Sequence, residues 1–147
     1  MASRWPEEGF ACQIERLPTG ELVVQLGGVV DLTSVAALEP LVGESFTSDL
    51  PAVILDLGQV TFLDSAGVCL LLRWIERAGP RRVALVGGGA RIVQRVLSLA
   101  CVGQRVPIEA TLVDAVRALT RGGEASPPAR VVGAAWRERW RARESAA

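Results

Sequence analysis

The chain contains no histidine, no tyrosine and no lysine, although it is 147 residues long. Histidine is the commonest general base and metal ligand near neutral pH, so its absence excludes Ser-His-Asp and Cys-His sites. The missing lysine excludes a phosphate-binding loop of the Walker type, which needs one. These absences argue against hydrolase and nucleotidase chemistry and favour a binding module over an enzyme.

The chain also lacks a net charge and a long apolar run. Its 16 basic and 16 acidic residues cancel, so nothing draws nucleic acid to the chain as a whole, and direct nucleic-acid binding is not expected. Half of the residues are hydrophobic, but no run approaches the roughly 18 consecutive apolar residues of a membrane-spanning helix. Because the segment after Met1 has no apolar core of the secretory type, the sequence predicts a soluble, cytoplasmic protein.

The three cysteines, Cys12, Cys69 and Cys101, are odd in number and far apart. This spacing fits neither a disulfide framework nor a zinc site. Reduced cysteines of this kind usually act as small hydrophobic residues. We therefore predict that all three lie in or near the core, and we expect neither a metal nor another cofactor.

Apolar, β-branched segments alternate with segments of helical period, which is typical of an α/β fold with helices packed on a mixed sheet. We predict about five strands and about four helices in one domain over residues 10–120, after an N-terminal extension at residues 1–9. The predicted strands are residues 10–16 and 21–26, paired as a hairpin, and residues 52–57, 82–86 and 106–109. The predicted helices run from Thr33 or Ser34 to Phe46 and over residues 65–78, 91–100 and 112–120.

The composition changes after residue 120. Residues 122–128, Gly-Gly-Glu-Ala-Ser-Pro-Pro, have the character of a flexible linker. The arginine-rich segment that follows carries Trp136 and Trp140 one helical turn apart. Two alternatives stay open for this tail at residues 121–147: a disordered segment, or a helix that orders on an anionic membrane surface or in a partner groove.

The turn Leu63-Asp64-Ser65-Ala66-Gly67 joins a strand of buried character to a helix with one apolar stripe. A serine at the first position of such a helix is exposed and held by a rigid scaffold. A phosphate there would meet free backbone N–H groups and the positive end of the helix dipole, so the fold should tolerate it. The alternative is that Asp64 and Ser65 are only helix caps.

The region around this turn resembles the signature of STAS domains, most closely that of bacterial anti-sigma-factor antagonists. The matching segment is residues 53–67, Val-Ile-Leu-Asp-Leu-Gly-Gln-Val-Thr-Phe-Leu-Asp-Ser-Ala-Gly. Residues 28–32 look like the second-strand motif of the family, and residues 91–97 and 111–116 resemble its two C-terminal helices. The resemblance implies a STAS fold over residues 10–120.

In that family, the serine after the aspartate is phosphorylated by an anti-sigma factor that is also a kinase, and the resemblance carries this role onto Ser65. It implies a partner switch in bacterial transcription control. The unphosphorylated form would bind the anti-sigma-factor serine kinase and free a sigma factor. The phosphorylated form would let go until a serine phosphatase restored it. The family's second-strand motif usually has an acidic residue just after the glycine, whereas this chain has Val29 and keeps only Asp31.

The residues that we expect to contact the partner surround Ser65. Two aspartates would flank the serine and orient the partner, or would serve as ordinary turn and cap residues. A threonine in the same loop is a second candidate phosphoacceptor. In chain order the candidates are Asp31, Thr61, Asp64, Ala66 and Gly67.

Trp74 is a further candidate on the helix after Ser65. It lies off the stripe predicted to face the sheet, and Arg73 and Arg77 lie next to it on the same helix. Exposed aromatic residues beside arginine are typical of binding hot spots, so Trp74 is predicted as a partner contact. The alternative is that it packs against a neighbouring helix.

Three glycines, residues 87–89, follow a predicted strand and precede a predicted helix, an order that also occurs in nucleotide-binding folds. The full dinucleotide pattern is missing, so a plain strand-to-helix connection is the main interpretation. Two other functions stay open beside the regulator. One is a STAS subunit of a transporter or scaffold complex that is never phosphorylated, and the other is a small nucleotide-binding sensor that uses this loop.

Overall fold

The computed structural model describes residues 3–4, 9–47, 50–87 and 89–120, and within them it has a six-stranded mixed sheet and four α-helices. The predicted α/β class is confirmed; the sixth strand comes from the predicted N-terminal extension. The strands are β1 (Ser3–Arg4), β2 (Phe10–Arg16), β3 (Leu22–Val30), β4 (Val53–Leu63), β5 (Val83–Val86) and β6 (Ile108–Glu109). The helices are α1 (Leu32–Gly43), α2 (Ser65–Ala78), α3 (Arg91–Leu99) and α4 (Leu112–Thr120), and short 3-10 turns lie at Pro80–Arg82 and Val102–Gln104. The predicted tail lies outside the described residues.

The strands lie in the sheet in the order in which they occur in the chain. β1, β2 and β3 are antiparallel, and β2 and β3 form the predicted hairpin, with Phe10 opposite Gly28 and Arg16 opposite Leu22. From β3 to β6 all pairs are parallel. Parallel neighbours need a crossover connection, and α1 and α2 supply the first two.

Because β3, β4, β5 and β6 are parallel, their carboxyl ends lie along one edge of the sheet. We call this edge, with the strand ends at Val30, Leu63, Val86 and Glu109 and the helix starts that follow them, the carboxyl edge. Every candidate residue around Ser65 except Trp74 and Thr61 lies in the connections at this edge. The fold therefore gathers residues that are separated in the sequence.

The helices divide between the two faces of the sheet. Helices α1, α2 and α3 pack on one face, which Val53 and Leu55 share. Helix α4 packs on the opposite face, where Leu112 and Val116 contact the cluster that contains Ile54. The division follows from the alternation of side chains along β4. Within the described ranges, none of the helices has both the length and the apolarity needed to cross a bilayer.

Strands β3 and β4 both extend beyond their predicted ends, which were residues 26 and 57. Glycines interrupt the apolar pattern in both strands, but the pairing continues as far as Val30 opposite Leu63, with two register shifts on the way. Gly28 lies at one of these irregularities with φ of 75°, a conformation that favours glycine. As a result Thr61 lies in β4 and not in the loop where it was predicted.

Trp74 is buried, with 1% of its surface exposed, so the prediction that it is exposed is wrong. Helix α2 packs against α1 as well as against the sheet, and this covers the side of the helix that carries Trp74. The indole lies edge to face against Phe46, with ring centroids 6.0 Å apart. Phe46 can take this position because α1 ends at Gly43, before the predicted end of the helix. The alternative of packing against a neighbouring helix was correct.

The cysteines are all free, but only one of them is in the core. Cys12 is buried on β2, and burial raises the pKa of its thiol to about 12. Cys69 and Cys101 are exposed, so the core prediction is wrong for these two. Cys69 lies on the outer side of α2, and Cys101 follows α3 in a left-handed conformation with φ of 55°.

Replacing Trp74 with alanine is expected to lower the free energy of unfolding by about 3–5 kcal/mol, because it leaves a cavity between α1 and α2. Urea denaturation measures this loss. The control is Arg73→Ala on the same helix, where the side chain is 59% exposed and paired only with Glu39, so a loss below about 1 kcal/mol is expected. Equal losses for the two variants would contradict the buried position of Trp74.

Candidate functional site

Ser65 is the first residue of α2, and its side chain is exposed. The preceding residue, Asp64, caps the helix, because its Oδ1 atom accepts a hydrogen bond from the Gly67 N–H at 3.0 Å. The backbone N–H of Asp64 donates to the carbonyl oxygen of Val30 at the end of β3, at 3.3 Å. Ser65 is therefore exposed on a turn that is fixed both to its own helix and to the neighbouring strand.

The first turn of α2 has two N–H groups available for an anion. The Gly67 N–H is bound by the Asp64 side chain, and the Val68 N–H donates to the Asp64 carbonyl oxygen at 3.0 Å. Within the described part of the chain, the N–H groups of Ser65 and Ala66 make no hydrogen bond. These two donors and the positive end of the helix dipole lie next to the Ser65 side chain.

Gly67 is buried and lies where α2 comes closest to the sheet. A Cβ atom on this residue would be 2.5 Å from Leu63 Cδ1 and 2.8 Å from the carbonyl oxygen of Val30. Only glycine allows the helix to start this close to the ends of β3 and β4. Gly67 therefore packs against the strand ends, and its neighbour Ala66 is half-buried, while the contact of these two residues with a partner stays a prediction.

Asp31 caps α1, so this helix begins at Leu32 and not after Thr33 or Ser34. Asp31 Oδ1 accepts from the Thr33 hydroxyl at 2.6 Å and from the N–H groups of Thr33 and Ser34 at 3.1 and 3.0 Å. The hydrogen bond from the Thr33 hydroxyl, followed by that from the Ser34 N–H, lowers the pKa of Asp31. The carboxylate remains half-exposed at the carboxyl edge.

The sheet brings the two capping aspartates together. Val30 and Leu63 are partners in the β3–β4 register, and Asp31 and Asp64 are the residues that follow them. Neighbouring strands lie about 4.8 Å apart, so the two turns are adjacent. Both aspartates therefore do what the cap alternative describes, and they also place two carboxylates in the adjacent turns at this edge, one of them directly before Ser65.

Two large apolar residues at this edge were missed in the sequence. Leu32, the first residue of α1, is 73% exposed, and Phe62, next to the end of β4, is 44% exposed. Each directly follows a candidate residue in the sequence, Leu32 after Asp31 and Phe62 after Thr61. An apolar residue next to a polar candidate was the signal that could have identified them. Thr61 is exposed on the same strand end. The surface around Ser65 therefore combines two apolar side chains with two carboxylates.

The glycine loop after β5 has a packing explanation. A Cβ atom on Gly89 would be 2.8 Å from the Gly58 carbonyl oxygen, and one on Gly87 would be 2.7 Å from Ile108 Cγ2. The loop passes its neighbouring strands β4 and β6 so closely that side chains do not fit, which accounts for both glycines without a nucleotide. In the part of the chain that the structure describes, no three acidic or cysteine side chains meet in a way that could hold a metal ion.

Comparison with known proteins identifies similar sequences and structures. The family model described as "Mlab, STAS domain" matches residues 15–114. The anti-sigma-F factor antagonist RsfB of Mycobacterium tuberculosis, strain H37Rv, is 32% identical over 105 residues, which cover 71% of this chain and 84% of that protein.

Two solved structures extend the comparison. An anti-sigma factor antagonist from Mycobacterium paratuberculosis has a TM-score of 0.68 and 28% identity, over 78% of this chain and 97% of that chain. The Bacillus cell fate determinant SpoIIAA in its phosphorylated form has a TM-score of 0.52 and 21% identity, over 67% of this chain and 90% of that chain. The second likeness shows the fold alone.

Replacing Gly67 with alanine is expected to lower the free energy of unfolding by about 1–3 kcal/mol, because the added methyl group overpacks the contact with Leu63 and Val30. Thermal or urea denaturation measures the loss. The matched control is Gly103→Ala, since a Cβ atom there would meet only Ile108 Cδ1 at an ordinary 3.6 Å. If Gly67→Ala were as stable as Gly103→Ala, the close approach of α2 to the sheet would be contradicted.

The Asp31 cap predicts a pH dependence of stability. The folded-state pKa of Asp31 lies below its ordinary value of 3.8, so the ionised carboxylate stabilises the fold above that pH, and this contribution is lost as the pH falls through the lowered pKa. Wild type should therefore be more stable than Asp31→Asn at pH 7, and the difference should shrink below about pH 4. Denaturation curves at pH 7, 5 and 3 measure it. A difference that stayed constant over this range would contradict the account.

Proposed function

The chain belongs to the STAS domain family, and on that premise we propose that it is an anti-sigma-factor antagonist of the bacterial cytoplasm. Its unphosphorylated form binds an anti-sigma-factor serine kinase and so frees a sigma factor. Phosphorylation of Ser65 switches this binding off, and a serine phosphatase restores it. The observation that carries the proposal is the exposed Ser65 at the start of α2, beside two N–H groups that make no hydrogen bond within the described residues.

The related proteins support the regulatory part of the proposal. The relative that is 32% identical over 105 residues is named an anti-sigma-F factor antagonist, and the structure at 28% identity is an anti-sigma factor antagonist. The SpoIIAA structure is of a phosphorylated form, so a protein of this fold accommodates a phosphate. The kinase, the phosphatase and the modified residue are proposed from the resemblance of residues 53–67 to the family signature, and the exposed position of Ser65 agrees with them.

Charge explains how the switch would work. A phosphate adds about −1.5 to −2 charges beside Asp64 and near Asp31, on the surface that meets the partner. Two like unit charges about 4 Å apart near a protein surface repel each other by up to about 4 kcal/mol, and solvent reduces this repulsion. A penalty of about 3 kcal/mol is enough to weaken binding about a hundredfold.

The same phosphate should leave the fold intact. Ser65 lies at the N-terminus of α2, where the helix dipole favours negative charge, and the N–H groups of Ser65 and Ala66 can donate to the phosphate oxygens. Asp64 continues to cap the helix through Gly67, because that hydrogen bond does not involve the serine. The proposed switch therefore releases the partner without unfolding the antagonist.

The exposed apolar residues provide a surface that the partner can bury when it binds the unphosphorylated form. Leu32 directly follows the Asp31 cap, and Phe62 lies two residues before the Asp64 cap, and both side chains are exposed. Burying such side chains contributes about 25 cal/mol for each Å² of apolar surface removed from water. We propose that they are the apolar anchors of the interface, with Asp31 and Asp64 at its polar rim.

Incubation with the cognate anti-sigma-factor kinase and ATP tests the modification site. One phosphate should be added, and peptide mapping by mass spectrometry should place it on Ser65. Ser65→Ala should abolish the reaction, whereas Thr61→Ala, which removes an exposed hydroxyl near the end of β4, should leave it unchanged. Modification of Ser65→Ala at the wild-type rate would overturn the assignment of Ser65, and a wild type that takes up no phosphate would favour the function of an unphosphorylated STAS subunit.

The proposed anchors predict that Leu32→Ala and Phe62→Ala each weaken binding to the anti-sigma factor about tenfold or more, since hot-spot truncations cost upwards of about 1–2 kcal/mol. Titration calorimetry measures the affinity, and melting temperatures confirm that the variants fold. Leu99→Ala is the matched control, because Leu99 is 75% exposed but lies at the far end of α3. If all three variants bound equally well, the interface would lie elsewhere.

A further inference from the structure

A cavity of about 580 Å³ lies beside β6, away from Ser65. One wall is the side of α3 that carries Gln94, Leu97 and Ser98, and the other is Ile108 and Glu109 of β6. Cys101, in the turn after α3, completes the lining near the far end. Neither the segment at residues 53–67 nor the proposed partner surface includes these residues.

The position of the cavity is one where open α/β sheets bind ligands. β5 continues into α3, which packs on one face of the sheet, whereas β6 continues into α4, which packs on the opposite face. Connections that leave adjacent parallel strands in opposite directions open a crevice at the carboxyl ends of those strands, and such switch points are common ligand sites. Gly87, directly after β5, and Glu109, at the end of β6, line this cavity.

The lining presents acceptors and one negative charge. Gln94 donates its side-chain N–H to the Gly89 carbonyl oxygen at 3.0 Å, which leaves its own Oε1 atom as an acceptor. Ser98 and Gln104 add a hydroxyl and an amide. Glu109 is the only charged residue among the described residues of the lining, and within that part of the chain it forms no ion pair. A protonated amine carries three donors and no acceptor, which is the complement of such a lining.

We propose that this cavity binds a small primary amine with an apolar body. Its ammonium group pairs with Glu109 and donates to Gln94 Oε1, and its apolar part contacts Leu97 and Ile108. A half-buried carboxylate interacts with a cation more strongly than a fully solvated one does, because less water screens the charges. The proposal does not depend on the switch at Ser65, since the two sites share no residue.

Titration followed by amide NMR tests the site with three probes that share one apolar body: phenethylamine, 2-phenylethanol and 3-phenylpropionate. The amine should shift the amide signals of Gly87, Gln94, Ser98 and Gln104 saturably, with an affinity at least about tenfold above that of the alcohol, a difference of about 1.4 kcal/mol. The carboxylate should bind more weakly still. Equal affinities for the three probes, or no saturable shift at these residues, would overturn the proposal.

The charge preference should depend on Glu109. Glu109→Gln should bring the affinities of the amine and the alcohol together, whereas Glu44→Gln, which removes an exposed carboxylate at the end of α1, should leave them apart. A preference for the amine that survived Glu109→Gln would contradict the assignment. Spectra of the two variants without probe show whether each is folded.

The two exposed cysteines allow a second measurement with an internal control. Cys101 lines the cavity, and Cys69 lies outside it on α2. With cystamine, a cysteine thiolate attacks one sulfur of the reagent, forms a mixed disulfide and releases one cysteamine. At exchange equilibrium, peptide mapping should show that Cys101 favours the aminoethyl adduct over the hydroxyethyl adduct from 2-hydroxyethyl disulfide, whereas Cys69 does not. Equal preferences at the two cysteines would count against the site.

Discussion

The close contact between the first turn of α2 and the strand ends is the constraint on which the candidate site depends. It is set by Gly67, since a side chain there would collide with Leu63 and with the carbonyl oxygen of Val30. Because the helix starts this near to the sheet, the Asp64 N–H reaches Val30, and the Asp64 side chain is left to cap its own helix. Ser65 is then an exposed hydroxyl on a turn that hydrogen bonds tie both to α2 and to the end of β3. The proposed modification there would add charge to the surface and leave the packing below it unchanged.

The sequential order of the parallel strands explains why the functional features lie at one edge of the sheet. Val30 pairs with Leu63, so the caps that follow, Asp31 and Asp64, become neighbours even though 32 residues separate them along the chain. The same edge continues to β5 and β6. The helices that follow these two strands, α3 and α4, pack on opposite faces of the sheet, and a cavity lies between the strand ends. One edge therefore carries both the proposed partner surface around Ser65 and the proposed ligand site near Glu109.

The sequence predicts best where a local signal decides the structure. Helices α2 and α4 and strand β2 lie where the periodicity placed them, because their apolar period and their turn residues agree. The predictions are wrong where packing against a second helix or strand determines whether a side chain is exposed. Trp74 was predicted to be exposed because the stripe of α2 was derived from the sheet alone, and only the packing of α1 against α2 shows that the ring is covered.

The candidate site was predictable in part for the same reason. Ser65 follows from a motif that is continuous in the sequence, whereas the importance of Leu32 depends on the β3–β4 register, which brings α1 next to α2. The packing role of Gly67 could not be predicted either, because it depends on how closely α2 approaches the strand ends in space. The cavity at Glu109 could not be predicted, because it depends on which face each helix covers, and no short segment carries that information.

The central claim is that phosphate on Ser65 releases a partner and leaves the fold unchanged. The most direct measurement compares unphosphorylated and phosphorylated wild-type protein in two assays, titration calorimetry with the cognate anti-sigma factor and thermal unfolding. The account predicts an affinity lower by about a hundredfold, or about 3 kcal/mol, with the same melting temperature. Equal affinities, or a loss of binding that accompanies a clear fall in melting temperature, would contradict it.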